Sequence, residues 1–344
     1  MRELSTLPIW VAPMAGGPST PALVTAAAQA GAFGFLATGY LTPAAVGVQI
    51  DAVRAAGVDR FGVNVFVPGA PAADPGAVSA YVGALRAGAA RDGAGSGEPA
   101  WDEDGWADKI ALLQADPPAL VSFTFGCPPR ETVAELRDRG ALVAVTVTSP
   151  NEARQAAAAG ADGLVVQGRE AGAHSGVFAN DGSPDRRPPL LDLLAQVAAV
   201  TSLPLVAAGG LAGAADVAAA LAAGATAAAL GTALLRCPES GAHPLHKAAL
   251  ADPRFTGTAV TRAFSGRPAR ALVNRFVLDH PDAPAGYPEI NNATRPLRAA
   301  AAAAGDQDGM SLYAGQAFRA AADRPAAEII DRLAAGLPRP WPAA

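Results

Sequence analysis

Eight short apolar runs, built for burial on both faces, limit what this chain can fold into. They are "PIWVAP" (8–13), "FGFLAT" (33–38), "FGVNVF" (61–66), "ALVSFTF" (119–125), "ALVAVTV" (141–147), "GLVVQG" (163–168), "PLVAAGG" (204–210) and "AAALGTA" (227–233). Each is continuous in its hydrophobicity instead of alternating, which is the pattern of a parallel strand covered on both sides. Ala-rich stretches lie between most of them. "TPALVTAAAQAG", "SPNEARQAAAAG" and "GAADVAAALAAG" each open near Thr, Ser or Gly and close on Gly, as helices do. Strand, helix, glycine and strand repeated to eight predict an α/β protein with a (β/α)8 TIM barrel. The rival, an open doubly wound sheet, needs fewer strands and a glycine fingerprint in its first turn, so the count favours the barrel.

Two stretches break the rhythm. Residues 68–118 carry "PGAPAADPG" and "RDGAGSGEPAWDEDGW"; their "GAGSG" follows no strand and opens no helix, so it reads as a flexible loop and not as a nucleotide loop. After "GTALLRCPES" the alternation lapses until "RPAAEIIDRLAAGL", a last amphipathic helix. The expected organisation is a barrel over 1–235 and 309–344, with a small, mostly helical cap over 236–308 inserted after the eighth strand. With a net charge of −5 and no basic block, neither nucleic acid nor an anionic membrane is an expected partner. Two distant cysteines, Cys127 and Cys237, make no metal pattern and no disulfide framework, and the start "MRELSTLPIW" does not read as a leader; both point to the cytoplasm. The oligomeric state is left open, a homo-oligomer included.

In such barrels the chemistry sits where strands end at the C-terminal face. Pro13 and Met14 fall after the first run, Asn64 within the third, Gln167 to His174 after the sixth, Gly209 and Gly210 after the seventh, and Gly231 and Thr232 after the eighth. One glycine turn has a plain alternative, that it merely turns the chain. Two together, after strands seven and eight, suit a phosphate bound by backbone N–H groups at helix starts. A phosphorylated ligand reaching from there towards the first, third and sixth strands has the length and shape of FMN. "APMAGG" supplies apolar and backbone walls for its ring, and Asn64 and Gln167 amides for its polar edge, although each amide has a structural alternative in bonding to backbone.

At this point the sequence resembles the nitronate monooxygenase family, formerly called 2-nitropropane dioxygenases, over nearly its whole length. The resemblance is carried by "APMAGGPSTPALVTAAAQAGAFGFLATGY", "FGVNVF", "VVQGREAGAHSG", "PLVAAGG" with "LGTALL", and "LYAGQ". The third is the most specific, with Gln167, Gly172 and His174 at the family's spacing. It implies flavin contacts from Met14, Asn64, Gln167, Gly172, Gly210, Gly231, Thr232 and Gln316, a catalytic or substrate-binding role for His174, and a place for Tyr313 in the substrate pocket. Two departures stand out: Ala229 occupies a position where relatives often have Gln, and the tyrosines that surround the pocket in the family are not visible apart from Tyr313.

A lone loop histidine is ordinarily a structural residue; its place after strand six and the motif reverse that for His174, whereas His243, His246 and His280 lack such a context. The resemblance implies FMN-dependent oxidation of alkyl nitronates by O2 to a carbonyl compound and nitrite, with no metal. Two alternatives remain at this level: an FMN and NAD(P)H enoyl-thioester reductase on the same barrel, and a flavin-binding protein without turnover. With a reference pKa of about 6.5, His174 serves either as a neutral base towards a nitroalkane or as a cation holding the nitronate; the family's taste for nitronates favours holding.

Overall fold

The computed structural model describes residues 1–89, 95–183 and 185–337. All eight apolar runs are strands, and they close into one parallel barrel. In order these are β1 (Ile9–Val11), β2 (Phe33–Ala37), β3 (Gly62–Phe66), β4 (Leu120–Thr124), β5 (Leu142–Val147), β6 (Gly163–Gln167), β8 (Leu205–Ala208) and β9 (Ala227–Leu230). A two-residue strand outside the barrel, β7 (Ala173–His174), comes between the sixth and seventh. Closure is by β9 on β1, with Trp10 level with Ala229 and Val11 with Leu230.

The helices of the outer ring are α1 (Pro21–Gln29), α2 (Pro43–Ala55), α3 (Pro75–Ala89), α4 (Trp106–Ala115), α5 (Arg130–Asp138), α6 (Pro150–Ala159), α7 (Leu190–Ala198) and α8 (Ala214–Ala222). Three of them start alike for a local reason. Thr20, Thr42 and Ser149 each accept an N–H of the first turn, from Leu23, Ala45 and Glu152, and Pro opens each helix where no N–H is needed.

Some of the alanines have a packing role inside the barrel. Trp10, Phe33 and Phe35 pack with ring centroids 5.1–5.4 Å apart. Across from them stand Ala144, Ala208, Ala227 and Ala229, all buried. Large rings from the first two strands fill the volume that small residues on the others leave, at the density of a packed interior.

The excursion before β4 is more ordered than expected. It contains α3 and α4, and its connecting residues are docked: Gly97 N–H donates to the Ala293 carbonyl at 2.8 Å, and Arg86 Nε donates to Ser96 Oγ at 2.8 Å. Residues 93 and 94 of "GAGSG" lie outside the described residues; Ser96 is held on α3 and Gly97 against the chain beyond β9. That later part holds α9 (Pro244–Ala249), β10 (Thr258–Thr261), β11 (Ala269–Leu272), α10 (Arg275–Asp279) and α11 (Glu289–Ala303), and the chain ends in α12 (Ala326–Leu333). The helices match expectation. The hairpin of β10 and β11 does not, and it matters, because β11 pairs antiparallel with β7 in a separate three-stranded sheet. No helix among the described residues is long and apolar enough to cross a membrane.

Candidate active site

A cavity of about 520 Å³ lies over the C-terminal mouth of the barrel. That is within the roughly 300–1,000 Å³ usual for cofactor and small-ligand sites. Its lining includes Pro13, Met14, Asn64, Gln167, Gly172, His174, Gly209, Gly210, Gly231, Thr232 and Tyr313, so eleven of the twelve residues anticipated above meet in one place. The twelfth, Gln316, does not line it: its side chain is exposed, and its N–H donates to the Glu170 carbonyl at 3.0 Å.

Each strand end delivers its group differently. On β3, Asn64 is buried and spends its Nδ2 on Ser122 Oγ at 2.9 Å and Thr124 Oγ1 at 3.0 Å, leaving its carbonyl oxygen as the free acceptor. After β8, Gly209 and Gly210 have φ of 114° and 74°, a conformation that costs little in glycine alone. After β9, Thr232 Oγ1 accepts the Gly315 N–H at 2.9 Å and keeps its own proton to donate. Gly172 has another reason to be glycine: a Cβ there would stand 2.4 Å from Gly315 N.

Gln167 turns inward. Its Nε2 donates to the His174 carbonyl at 3.1 Å, while its Oε1 accepts the Gly176 N–H at 2.7 Å and Arg187 Nη1 at 3.0 Å. The amide therefore ties both ends of the loop that presents His174, with one N–H left over. Ala173, next in that loop, has φ of 61°. Non-glycine residues held there carry strain on the order of 1–3 kcal/mol, and such strain gathers at functional sites. Tyr40 and Phe125, at φ 69° and 79°, also line the cavity, and Asp104, at 52°, accepts the Tyr40 N–H.

His174 sits among rings, with centroids 5.6 Å from Phe125, 5.6 Å from Tyr287 and 5.3 Å from Tyr313. Burial, and then the charges of Arg267 and Arg298, push its pKa down to about 3. It is neutral at ordinary pH. In that form the imidazole carries no charge with which to hold an anion. Arg267 is 3% exposed, lies over the Phe125 ring at 4.0 Å and donates to the carbonyls of Ser175 and Val177; burial brings its pKa down to about 10, so it keeps its charge.

Sequence reasoning missed several members. Arg295 and Arg298 of α11 line the cavity, and among the described residues no Asp or Glu does. Arg298 donates to neutral groups only, Ser311 Oγ and the carbonyl and side-chain oxygens of Asn291. Tyr40 also lines it, its hydroxyl 3.2 Å from that of Tyr287. Tyr40 thus joins Tyr313 on the cavity wall, with Tyr287 behind it. Burial raises the pKa of Tyr40, Tyr287 and Tyr313 alike, so all three stay protonated. His246, read as ordinary, lines the cavity too: its Nε2 is buried with no hydrogen-bond partner among the described residues, and burial brings its pKa down to about 4. His243 also reaches the wall while its Nδ1 caps α9, whereas His280 packs on Phe276 and Tyr81.

A closed parallel barrel with a ligand-sized cavity at its C-terminal mouth, roofed by the chain that follows the last strand, defines a TIM-barrel enzyme. The nitronate monooxygenase family profile matches residues 1–336. A nitronate monooxygenase of Pseudomonas aeruginosa is 40% identical over 342 residues, 95% of either chain. The crystal structure of nitroalkane oxidase from Streptomyces ansochromogenes superposes with a TM-score of 0.93 at 48% identity, over 97% of this chain and 96% of that one. FabK from Thermotoga maritima is more distant, at a TM-score of 0.71 and 25% identity over 96% and 93%. This chain belongs to the nitronate monooxygenase family of flavin-dependent oxidoreductases.

Proposed function

We propose that the protein binds FMN across the barrel mouth and oxidises alkyl nitronates with O2 to a carbonyl compound and nitrite. The observation that carries the reading is the charge of the cavity. Two guanidinium groups face it from α11, no carboxylate among the described residues offsets them, and the histidine between the rings is neutral. A nitronate is a small anion, and such a site favours it electrostatically.

The residues present suit FMN. The turns at Gly209–Gly210 and Gly231–Thr232 offer backbone N–H groups and a spare hydroxyl proton for a phosphate, and the Asn64 carbonyl offers an acceptor to an N–H on the ring's polar edge. Met14 and Pro13 supply an apolar wall. Held by these groups, FMN would supply the redox chemistry that links nitronate oxidation to O2. The chain's own part is to hold the anion on Arg298 and Arg295 and to present the neutral imidazole of His174. A neutral imidazole is equipped to take the α-proton of a nitroalkane, so the same site has a route from the neutral form to the nitronate.

The test is anaerobic reduction of the flavin-loaded protein, run in parallel with a preformed nitronate and with NADPH. Bleaching by the nitronate, followed by nitrite release on admitting air, is expected. Bleaching by NADPH alone would move the assignment to the enoyl-thioester reductase reading, and reduction by neither would leave a flavin-binding protein. Heat release and chromatography identify the cofactor; FAD in place of FMN would overturn the phosphate assignment.

A further inference from the structure

A neutral histidine carries one N–H, and which nitrogen carries it decides what the ring can do. His174 Nε2 lies 2.8 Å from Ser265 Oγ, and its Nδ1 has no hydrogen-bond partner among the described residues. Ser265 is buried, in the turn that joins β10 to β11, 91 residues further along the chain. Its hydroxyl has one proton and three further neighbours: the Arg267 carbonyl at 3.2 Å, the Arg267 N–H at 3.4 Å and the phenol of Tyr313.

The two backbone neighbours favour one direction for the bond. The Arg267 N–H can only donate to Oγ, and the Arg267 carbonyl can only accept from it. That carbonyl belongs to a buried residue and has no other donor among the described residues, and a buried carbonyl without a donor is costly. With the hydroxyl proton on that carbonyl, Oγ accepts from the imidazole. Resting on the reading of His174 as the working histidine, we propose that Ser265 is a positioning residue: it holds His174 as the Nε2–H tautomer, so that Nδ1 presents its lone pair as the atom that accepts the substrate's proton.

The surroundings make this a built arrangement. The turn is pinned by the Ser265 and Gly266 N–H groups on the Arg262 carbonyl, at 3.2 and 2.7 Å, and by the Gly286 N–H on the Gly266 carbonyl at 3.0 Å. The same hairpin grips the backbone around His174: Ala269 is its register partner, and the Ser175 N–H donates to the Pro268 carbonyl at 2.7 Å. Ring and backbone of one residue are thus oriented by one element. In the opposite tautomer the free nitrogen would be an N–H donor, unable to take a proton.

The test reads the ring nitrogens directly, in the flavin-loaded protein labelled with ¹⁵N-histidine, with the His174 signals identified among the four histidines by their loss in His174→Asn. At neutral pH, Nε2 is expected to be protonated and Nδ1 unprotonated. Ser265→Ala should mix the two tautomers and lower kcat on a neutral nitroalkane by about tenfold, less than the roughly 10²–10⁴-fold of losing a base outright, with KM held. Ser265→Thr, which keeps the hydroxyl, should restore the wild-type pattern. A wild-type spectrum with the proton on Nδ1 overturns the proposal, and this needs no variant to fold. A Ser265→Ala spectrum identical to wild type overturns it equally. Should the protein fail to oxidise nitronates while Nε2–H is seen and shifts on substitution, the functional reading falls and the tautomer assignment stands.

Discussion

The floor and the roof of the cavity are made of different chemistry. The floor, at the strand ends of the barrel, offers glycine turns, the Asn64 carbonyl and the Thr232 hydroxyl, all neutral and mostly backbone. The roof, from β10 to α11 and Tyr313, offers guanidinium groups, phenol rings and a serine. A phosphorylated cofactor is recognised in many barrels by the first kind of surface, because backbone N–H groups need only the turn. A small anion that is bound and released is better served by the second kind, whose side chains set charge and shape. His174 is where the two meet: it follows a barrel strand, yet its backbone and its ring are both paired with the roof. The division predicts that floor and roof can be damaged separately.

The largest effect is expected at the junction. His174→Asn should lower turnover of neutral nitroalkanes by about 10²–10⁴-fold, the usual worth of a positioned base. Preformed nitronates, which have no proton left to lose, should suffer much less. Flavin content should stay at the wild-type level, since the floor is untouched. Steady-state rates on both substrate forms, with flavin measured by absorbance, check all three statements. Equal losses on both forms would mean that His174 binds the anion after all, and loss of flavin would mean that floor and roof are not separable.

A smaller effect belongs to the roof alone. Arg298→Met removes a charge that donates to Ser311 and Asn291 and that depresses the His174 pKa. A charge-assisted hydrogen bond contributes about 1.5–3 kcal/mol, so KM for a nitronate should rise about 10–100-fold, with FMN affinity little changed. Titration of the flavin-stripped variant with FMN supplies the control. An equal loss of FMN affinity would place Arg298 on the cofactor and break the division.

The same division explains what could be read from the sequence. The floor was legible because its signals are local: eight continuous apolar runs fix the strands, and a residue's place after a run fixes its place at the barrel mouth. Even so, local position misjudged two details. Gln167 faces its own loop with most of its amide, and Gln316 stays outside the cavity. The roof was not legible, because it is assembled across long separations. Nothing near Ser265 in the sequence names a histidine 91 residues earlier. Arg295 and Arg298 lie in an alanine-rich helix that reads as ordinary amphipathic surface, and "PLHKAAL" gives His246 no neighbour that hints at a cavity. Tyr287 acquires its meaning from Tyr40, 247 residues away.

The smallest expected effect separates floor from roof by acid. In the folded protein His174 and His246 have pKa values near 3 and 4, both lowered first by burial, against about 6.5 in an unfolded chain. Between these values the unfolded state binds more protons than the folded one, so stability falls as pH drops below about 6.5 and is fully present above it. His246 sits against Tyr313 and His174 against Ser265, both on the roof side, whereas the glycine turns, Asn64 and Thr232 of the floor carry no titrating side chain. His246→Gln removes one of the lowered histidines, leaves His174 and His280 in both proteins, and keeps an amide to face the cavity. Its melting temperature should therefore drop less than the wild type's between pH 7 and pH 5, by a margin on the order of 2 °C. Calorimetry of both proteins at the two pH values measures that difference. Parallel curves would mean that the imidazole of His246 titrates normally, which would leave the acid sensitivity to His174 and His280.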